Sequence, residues 1–288
     1  MNQRFVFKTI EEKLTPIGGM TAVGAWIAQT KLNARLNAQV LSGRPKPQIP
    51  NGDVVSSYVG LLCQGKNDFD HIEAFRDDEF FQLSLGLTAI PSSPTLRQRL
   101  DEGAQNPKWM TIIQEENTRL LTQAKPHLQE ITASGHIPLD LDVSIFDNSG
   151  SKKEGLGWTY LRTMGYAPMF AYLGKEGFCV AVELRNGSTH CQKGTPAFLR
   201  KAIQQAQQIT SNPLVVRLDS GHHSRENLAI FFEQNVNFIV KRNLHKETPE
   251  SWKAIAQEQA VVAQSMKDGL TRYYGKVTWW FVLRETNY

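Results

Sequence analysis

IPLDLDVSIF, residues 137–146, is the stretch on which the reading of the chain turns. Apolar and polar side chains largely alternate through it with period two, the repeat of a strand with one buried face. Before it the sequence reads as helical. After it, β-rich and helical runs alternate. Residues 168–173 and 178–184 predict the next two strands, with Gly174 and Gly177 turning between them. Residues 196–210 predict a helix, Leu214 to Leu218 a mostly apolar strand, 225–234 a helix and 238–240 a short strand. Three strands, helix, strand, helix, strand is an α/β pattern. No internal repeat or low-complexity tract interrupts it.

Two carboxylates stand out on this frame. Asp140 and Asp142 share one face of the first strand, and a carboxylate beside apolar neighbours is costly unless it is paired or binds a cation. Asp219 directly follows the strand ending at Leu218 and precedes Ser220-Gly221. It therefore lies at a strand's C-terminal end, where open α/β sheets collect ligands and catalytic groups. Either Asp alone reads as a turn residue or a cap; both together, on two core strands, predict a site. Hard oxygen ligands on a rigid sheet suit Mg²⁺ or Mn²⁺. Two such ions about 3.5–4 Å apart activate a water or hydroxyl and stabilise the leaving oxygen in phosphodiester chemistry. That arrangement calls for a third carboxylate from a later element.

Other candidates are weaker. His222 and His223 follow Asp219 and could orient a water, but read as polar surface. His190 and Cys191 form no ligand set with their neighbours. Walker and dinucleotide loops are missing, as is a G-x-S-x-G elbow. Lys152 and Lys153, in SGSKKEG just after the first strand, and Lys241-Arg242 after the last read as phosphate contacts or as ordinary solvated loops.

Composition narrows the class. The chain has 288 residues, 41% hydrophobic and 21% charged, enough for a packed core. Three cysteines (Cys63, Cys179, Cys191) without a CxxC pair argue against a disulfide scaffold or a cysteine zinc site and fit a reducing cytoplasm. MNQRFVFKTI has no apolar h-region, and the longest charge-free stretches, 14–30 and 80–96, are too polar and short to span a membrane. The expectation is a soluble cytoplasmic protein. The net charge is +4, and all of it falls after residue 137: residues 1–137 hold 14 Lys+Arg and 14 Asp+Glu, leaving 18 and 14 for the rest.

The first 135 residues predict helices at 19–40, broken near Thr30–Lys31, at 53–64 with Asp53 as cap, at 68–75 and 77–85, and at 107–131, interrupted at Pro126. Pro45, Pro47 and Pro50 form a rigid connector. In PSSPTLRQRLD, Ser93 reads as an N-cap with Pro94 at the first helical position. That places Arg97 and Arg99 in the early turns. A short helix, a turn and a capped, Arg-bearing helix is helix-turn-helix-like, and its second helix could enter a DNA groove.

The strings LDLDVSIFDNSGSKKEG, Tyr160 with GYAPMFAYLG after it, VELRNGSTHCQ, VRLDSGHHSREN and FIVKRN cover residues 138–243 almost continuously. In their order and spacing they resemble the DDE transposases of bacterial insertion sequences. SYVGLLCQGKNDFDHIEAFRDDEFF and PSSPTLRQRLD resemble the helical region of one branch of that family. The resemblance implies an RNase H-like catalytic core, a mixed sheet flanked by helices, with the first Asp on strand one and the second just after strand four. These are Asp142 and Asp219, the implied catalytic and metal-binding pair. The implied reaction is Mg²⁺- or Mn²⁺-dependent cleavage at the element's ends, followed by transfer of the freed 3′-hydroxyl to target DNA. The implied partners are the terminal inverted repeats, bound with help from the helical region and from Arg97, Arg99, Lys152, Lys153, Lys241 and Arg242, the target DNA, and a second copy in a synaptic homodimer. The bacterial nucleoid is the implied location.

The family's third acidic residue is a Glu on a late helix, after a Tyr and an Arg and with a Lys two turns beyond. Nothing after Asn243 carries that set: Tyr273-Tyr274 is followed by Gly-Lys-Val-Thr-Trp-Trp-Phe, and Glu285 follows the β-rich run 277–283. The division expected is 1–135 helical and DNA-binding, 136–243 an incomplete catalytic core and 244–288 the start of a β-containing insertion, the chain stopping before its catalytic Glu. Three activities are consistent with that: a transposase impaired by the loss, a non-catalytic DNA-binding form that inhibits the intact enzyme, or a two-carboxylate nuclease on the same fold that recruits its third ligand from elsewhere.

Overall fold

The structure, a computed structural model, describes residues 15–41, 47–131, 135–244, 247–259, 262–265 and 271–274. The first part is built from α1 (Met20–Ala28), α2 (Leu32–Asn37), α3 (Asn51–Cys63), a 3-10 turn at Phe69–Phe75, α4 (Glu79–Leu85), α5 (Ser93–Ala104) and α6 (Pro107–Ala124). Thr30 makes the break between α1 and α2. Its hydroxyl donates to the Ile27 carbonyl at 2.6 Å and accepts from the Leu32 amide at 3.2 Å. Met20, Val54, Leu61, Ile72, Phe81, Leu85 and Leu96 form one apolar cluster; Leu36, Val55, Trp109 and Ile112 form another. α1 meets α4 so closely that a Cβ on Gly24 would stand 1.6 Å from the Ser84 carbonyl oxygen, so no larger residue fits there.

Two expected caps are corrected. Asp53 lies inside α3, buried, and its carboxylate accepts from the amides of Thr88 at 2.7 Å and Ala89 at 3.3 Å. It fastens α3 to the segment between α4 and α5 instead of starting a helix. Ser92, not Ser93, caps α5, accepting from the Thr95 amide. Ser93 turns to the 3-10 segment, where its amide donates to Glu73 at 2.6 Å and its hydroxyl bonds Asp70.

The second part runs β1 (Ile137–Val143), β2 (Phe146–Asp147), β3 (Gly157–Trp158), β4 (Met164–Tyr166), β5 (Met169–Leu173), β6 (Phe178–Glu183), α7 (Thr195–Ile209), β7 (Leu214–Leu218), α8 (Arg225–Glu233) and β8 (Asn237–Val240). α9 (Pro249–Gln259) and the antiparallel pair β9 (Val262–Ser265) and β10 (Thr271–Tyr274) follow. The expected β run at 277–283 and Glu285 lie outside the described residues.

Five strands form a mixed sheet in the order β6-β5-β1-β7-β8. β5 is antiparallel to both β1 and β6, whereas β1, β7 and β8 are parallel. Parallel neighbours need a crossover, and α7 and α8 supply it. Those helices cover one face: Leu139, Leu141, Ala171, Leu173, Val216 and Leu218 pack on Leu199, Ala202, Ile203, Ile230 and Phe231. The edge strand β6 is capped by α6, whose Gln114 and Asn117 amides donate to the Val182 and Cys179 carbonyls at 2.8 and 3.0 Å, closing an otherwise open sheet edge. The sheet is the mixed, helix-flanked layer of an RNase H-like core, with Asp142 on its first strand and Asp219 directly after its fourth. β2, β4 and β3 form a separate small sheet, absent from the sequence reading because strands of two or three residues are too short to show a period.

α2 and α6 are joined by a buried carboxylate. Glu116 accepts from the Lys31 amide and the Arg35 guanidinium, each at 2.8 Å, with Arg119 at 3.3 Å. Burial alone would raise its pKa, but the Arg35 hydrogen bond, the Lys31 amide and the Arg119 charge together hold it below the usual carboxylate range. Glu116→Ala is expected to cost about 2 kcal/mol, the scale for leaving hydrogen-bond donors without their acceptor, read as a fall in melting temperature; Glu115→Ala, at the exposed partner of Arg35, changes little. Because the folded-state pKa is depressed, this stabilisation is complete above the unfolded carboxyl's pKa of about 4.3. It disappears as pH falls through the lower folded value, so the melting gap between wild type and Glu116→Ala should close in acid.

Candidate active site

Register brings the two carboxylates together. β1 and β7 run side by side with Ile137 opposite Leu214 and Asp140 opposite Arg217, a constant offset of 77 residues. The last pair is Asp140 with Arg217; Asp142 and Asp219 each lie two residues beyond it, and both charges reach the His222 ring. Asp142 is exposed near the end of β1, opposite Phe170 of β5, and its Oδ1 accepts from the Val143 amide at 2.8 Å. Asp219 caps the 3-10 turn Ser220–His222, accepting from the Gly221 amide at 3.1 Å.

Asp140 differs from Asp142 in having a cationic neighbour. The Arg217 guanidinium grips it with two hydrogen bonds, Nε and one terminal nitrogen each to its own carboxylate oxygen. Its charge is therefore compensated. Asp142 and Asp219 form no ion pair with a Lys or Arg among the described residues, and so present hard oxygen donors of uncompensated charge at one end of the sheet. That donor set fits Mg²⁺ or Mn²⁺. Among the described residues no group of three or more His, Cys, Asp or Glu is arranged to hold a metal ion.

His222, read from the sequence as polar surface, is 2% exposed, and its Nε2 stands 3.7 Å from Asp219 Oδ1. Burial pushes its pKa down, while Asp219 and then Asp142 pull it up. The net is a neutral ring, lying within the field of both carboxylates. The loop before α7 closes over this turn. The Cys191 thiol and Gln192 Nε2 donate to the Gly221 carbonyl at 3.1 and 3.2 Å, and Asn227 Nδ2 holds the His222 carbonyl at 2.7 Å. Burial, then Asp219, raises the Cys191 pKa, which keeps its donor proton in place. Only the adjacency of VELRNGSTHCQ and VRLDSGHHSREN in space reveals these groups; neither string alone signals them.

The expected DNA-contacting residues separate into two sets. Lys152 and Lys153 are exposed on the loop between β2 and β3. Lys241 is exposed just past β8, with its amide donating to the Leu218 carbonyl at 3.2 Å, one residue from Asp219. Arg97 is exposed over the Phe69 ring, with Asp70 at 3.5 Å. Arg242 is half-buried; its guanidinium bonds Glu247 at 2.9 and 2.6 Å and lies over Trp252. Arg99 is a correction: it points inward, 2% exposed, bonded to the Ile49 carbonyl and to the Asn51 side chain. Two positions along a helix is a turn of about 200°, so Arg97 and Arg99 fall on opposite faces of α5. Arg99 ties α5 to the start of α3. α5 itself packs on that helix, the 3-10 turn and α6.

No helix among the described residues is long and apolar enough to cross a membrane. A family model described as "Transposase DDE domain group 1" matches residues 3–281. Similar solved structures include a piggyBac transposase synaptic complex with hairpin DNA, at 12% identity over 80% of this chain and 51% of that one with a TM-score of 0.35. A Mos1 transposase paired-end complex with left transposon end gives 13% identity, 76% and 73% coverage and a TM-score of 0.26. A Drosophila P element transposase strand transfer complex gives 10%, 87% and 53%, and 0.30. The chain spans about half the length of the piggyBac transposase. No curated protein matches it. With the family model running through nearly the whole sequence, the helical part included, the chain belongs to the transposase DDE domain group 1 family.

Proposed function

We propose that the chain acts in DNA transposition, by metal-dependent cleavage at the ends of an insertion sequence and strand transfer into target DNA. The observation that supports this reading is the β1–β7 register, whose last pair leaves Asp142 and Asp219 each two residues further along, in a chain of this family. A bound Mg²⁺ or Mn²⁺ would supply a Lewis acid that activates water and stabilises the leaving oxygen. The chain's own residues do the rest. Asp142 and Asp219 would hold the cation; Arg217 keeps Asp140 from competing for it; the Gly221 amide orients Asp219 beside the packed His222. Lys241 and the Lys152–Lys153 loop hold phosphates of the scissile strand. Cleavage by water leaves a 3′-hydroxyl at the element's end, and that hydroxyl then attacks a target phosphodiester, exchanging one P–O bond for another. The helical first part contributes to binding the terminal inverted repeats, and two copies synapse two ends. A third carboxylate would complete the site.

Calorimetric titration with Mn²⁺ tests the pair without requiring turnover. Asp142→Asn and Asp219→Asn are each expected to weaken binding by about tenfold or more, in line with a coordinate carboxylate lost, while Asp140→Asn binds as wild type does. Equal affinity in all four proteins would contradict the site. Cleavage of end DNA should disappear in the same two variants; DNA that wild type binds but never cuts in either metal would assign the chain the non-catalytic role instead.

DNA affinity should also fall with salt, log K against log salt dropping by about 0.9 per phosphate neutralised. Lys241→Ala or Lys152→Ala should flatten that slope by roughly one contact each, whereas Arg99→Ala should lower stability and leave the slope unchanged. A flat salt response in wild type would argue against nucleic acid as partner.

A further inference from the structure

The turn joining β3 to β4 carries the most concentrated exposed apolar surface near the site. Trp158, Tyr160 and Leu161 are 64%, 76% and 58% exposed, three large apolar side chains within four residues. Single exposed apolar residues are normal on a protein surface; a cluster on one turn marks an interaction. The turn is also held in one shape. The Thr159 amide donates to the Thr163 carbonyl at 2.9 Å, the Arg162 amide to the Thr159 carbonyl at 3.0 Å, and the two threonine hydroxyls bond each other at 2.9 Å. Arg162 sits in the left-handed region at φ 60°, an unfavourable conformation for a side-chain-bearing residue that this bonding over-determines. A preset geometry lowers the entropy lost on binding.

The charge beside it selects the partner. Arg162 is exposed on the turn, and Lys152 and Lys153 on the loop that leads into β3. Rings for base faces alongside cations for a backbone is the pattern that binds single-stranded nucleic acid. In an intact duplex the base faces are covered by their neighbours, so rings of this kind need unpaired or unstacked bases. The small sheet is also tied to the acidic pair: Phe146 of β2 meets Phe170 at 6.0 Å, and Phe170 is opposite Asp142. β3 lies two strand spacings from β2, about 10 Å.

We infer that this turn is a stacking platform for unpaired bases. Trp158 and Tyr160 take bases of a DNA strand a few nucleotides from the phosphate held at Asp142 and Asp219, with Lys152, Lys153 and Arg162 along its backbone. The inference rests on the transposition reading and extends it to a preference for opened rather than fully paired DNA next to the cut.

The test measures fluorescence anisotropy of a labelled oligothymidine and of a labelled duplex of the same length, at one salt concentration and without divalent metal, on the full chain. Trp158→Ala/Tyr160→Ala should weaken oligothymidine binding by about tenfold or more, the loss expected for one or two stacked bases, and leave duplex affinity nearly unchanged. Trp158→Phe/Tyr160→Phe should restore most of it. Both variants alter exposed side chains, and equal melting temperatures would confirm that they fold. If wild type binds both DNAs and the alanine variant binds them equally well, the stacking platform is refuted while the transposition reading stands. If the alanine variant keeps its DNA affinity but sediments as a smaller species, the turn contacts a second copy and the inference is overturned in that way. If wild type binds neither DNA, the transposition reading fails and the platform with it.

Discussion

The parallel pairing of β1 with β7 is the constraint on which the rest of the site depends. These strands are consecutive in space but separated in sequence by the small sheet, two further strands and α7. Their register is fixed by the apolar alternation on the helix-covered face. Leu139 and Leu141 must meet the same layer as Val216 and Leu218. A slip of one residue would turn the slipped strand's apolar set away from the helices, so this register is strongly specified. With it fixed, the other face follows without further choice. Asp140 falls against Arg217, and the next polar positions are 142 and 219. Hydrophobic packing on one side of the sheet thus sets the spacing of charges on the other.

That face shows how one sequence motif separates into two roles. LDLD places two carboxylates on one face of β1, equivalent in pattern. β7 offers an arginine opposite the first and an aspartate at the position in line with the second. The first becomes a compensated ion pair and the second keeps its charge. The buried His222, its pKa lowered by burial, lies 3.7 Å from Asp219 without cancelling that charge. The loop from β6 to α7 reaches across to hold the turn, so the site is supported by an element remote in sequence from either aspartate.

How much could be read beforehand follows from which forces act locally. The strands of the large sheet and its crossover helices were legible because each carries several residues of a clear period. The aspartate positions were legible as strand-end and strand-face carboxylates, and family resemblance chose Asp142 over Asp140; the physical reason for that choice, Arg217, appears only once β7 is laid beside β1. The small sheet was illegible because two-residue strands have no period. Arg99 was misjudged because basic residues in an early helical turn usually face water, whereas α5 presents that face to α3. Asp53 and Ser93 were read as caps because a polar residue before an apolar run usually is one. Here both bond to partners distant in sequence. His222 required the three-dimensional closure of the loop before α7.

The central claim is that Asp142 and Asp219 form one cation site created by strand register. Its most direct test is a crystal of the protein soaked in Mn²⁺, with anomalous scattering recorded to locate the metal. The account predicts a peak within coordination distance of both carboxylates and none at Asp140, which stays on Arg217. A peak at Asp140, or Asp142 and Asp219 occupied by ions separately or not at all, would contradict it.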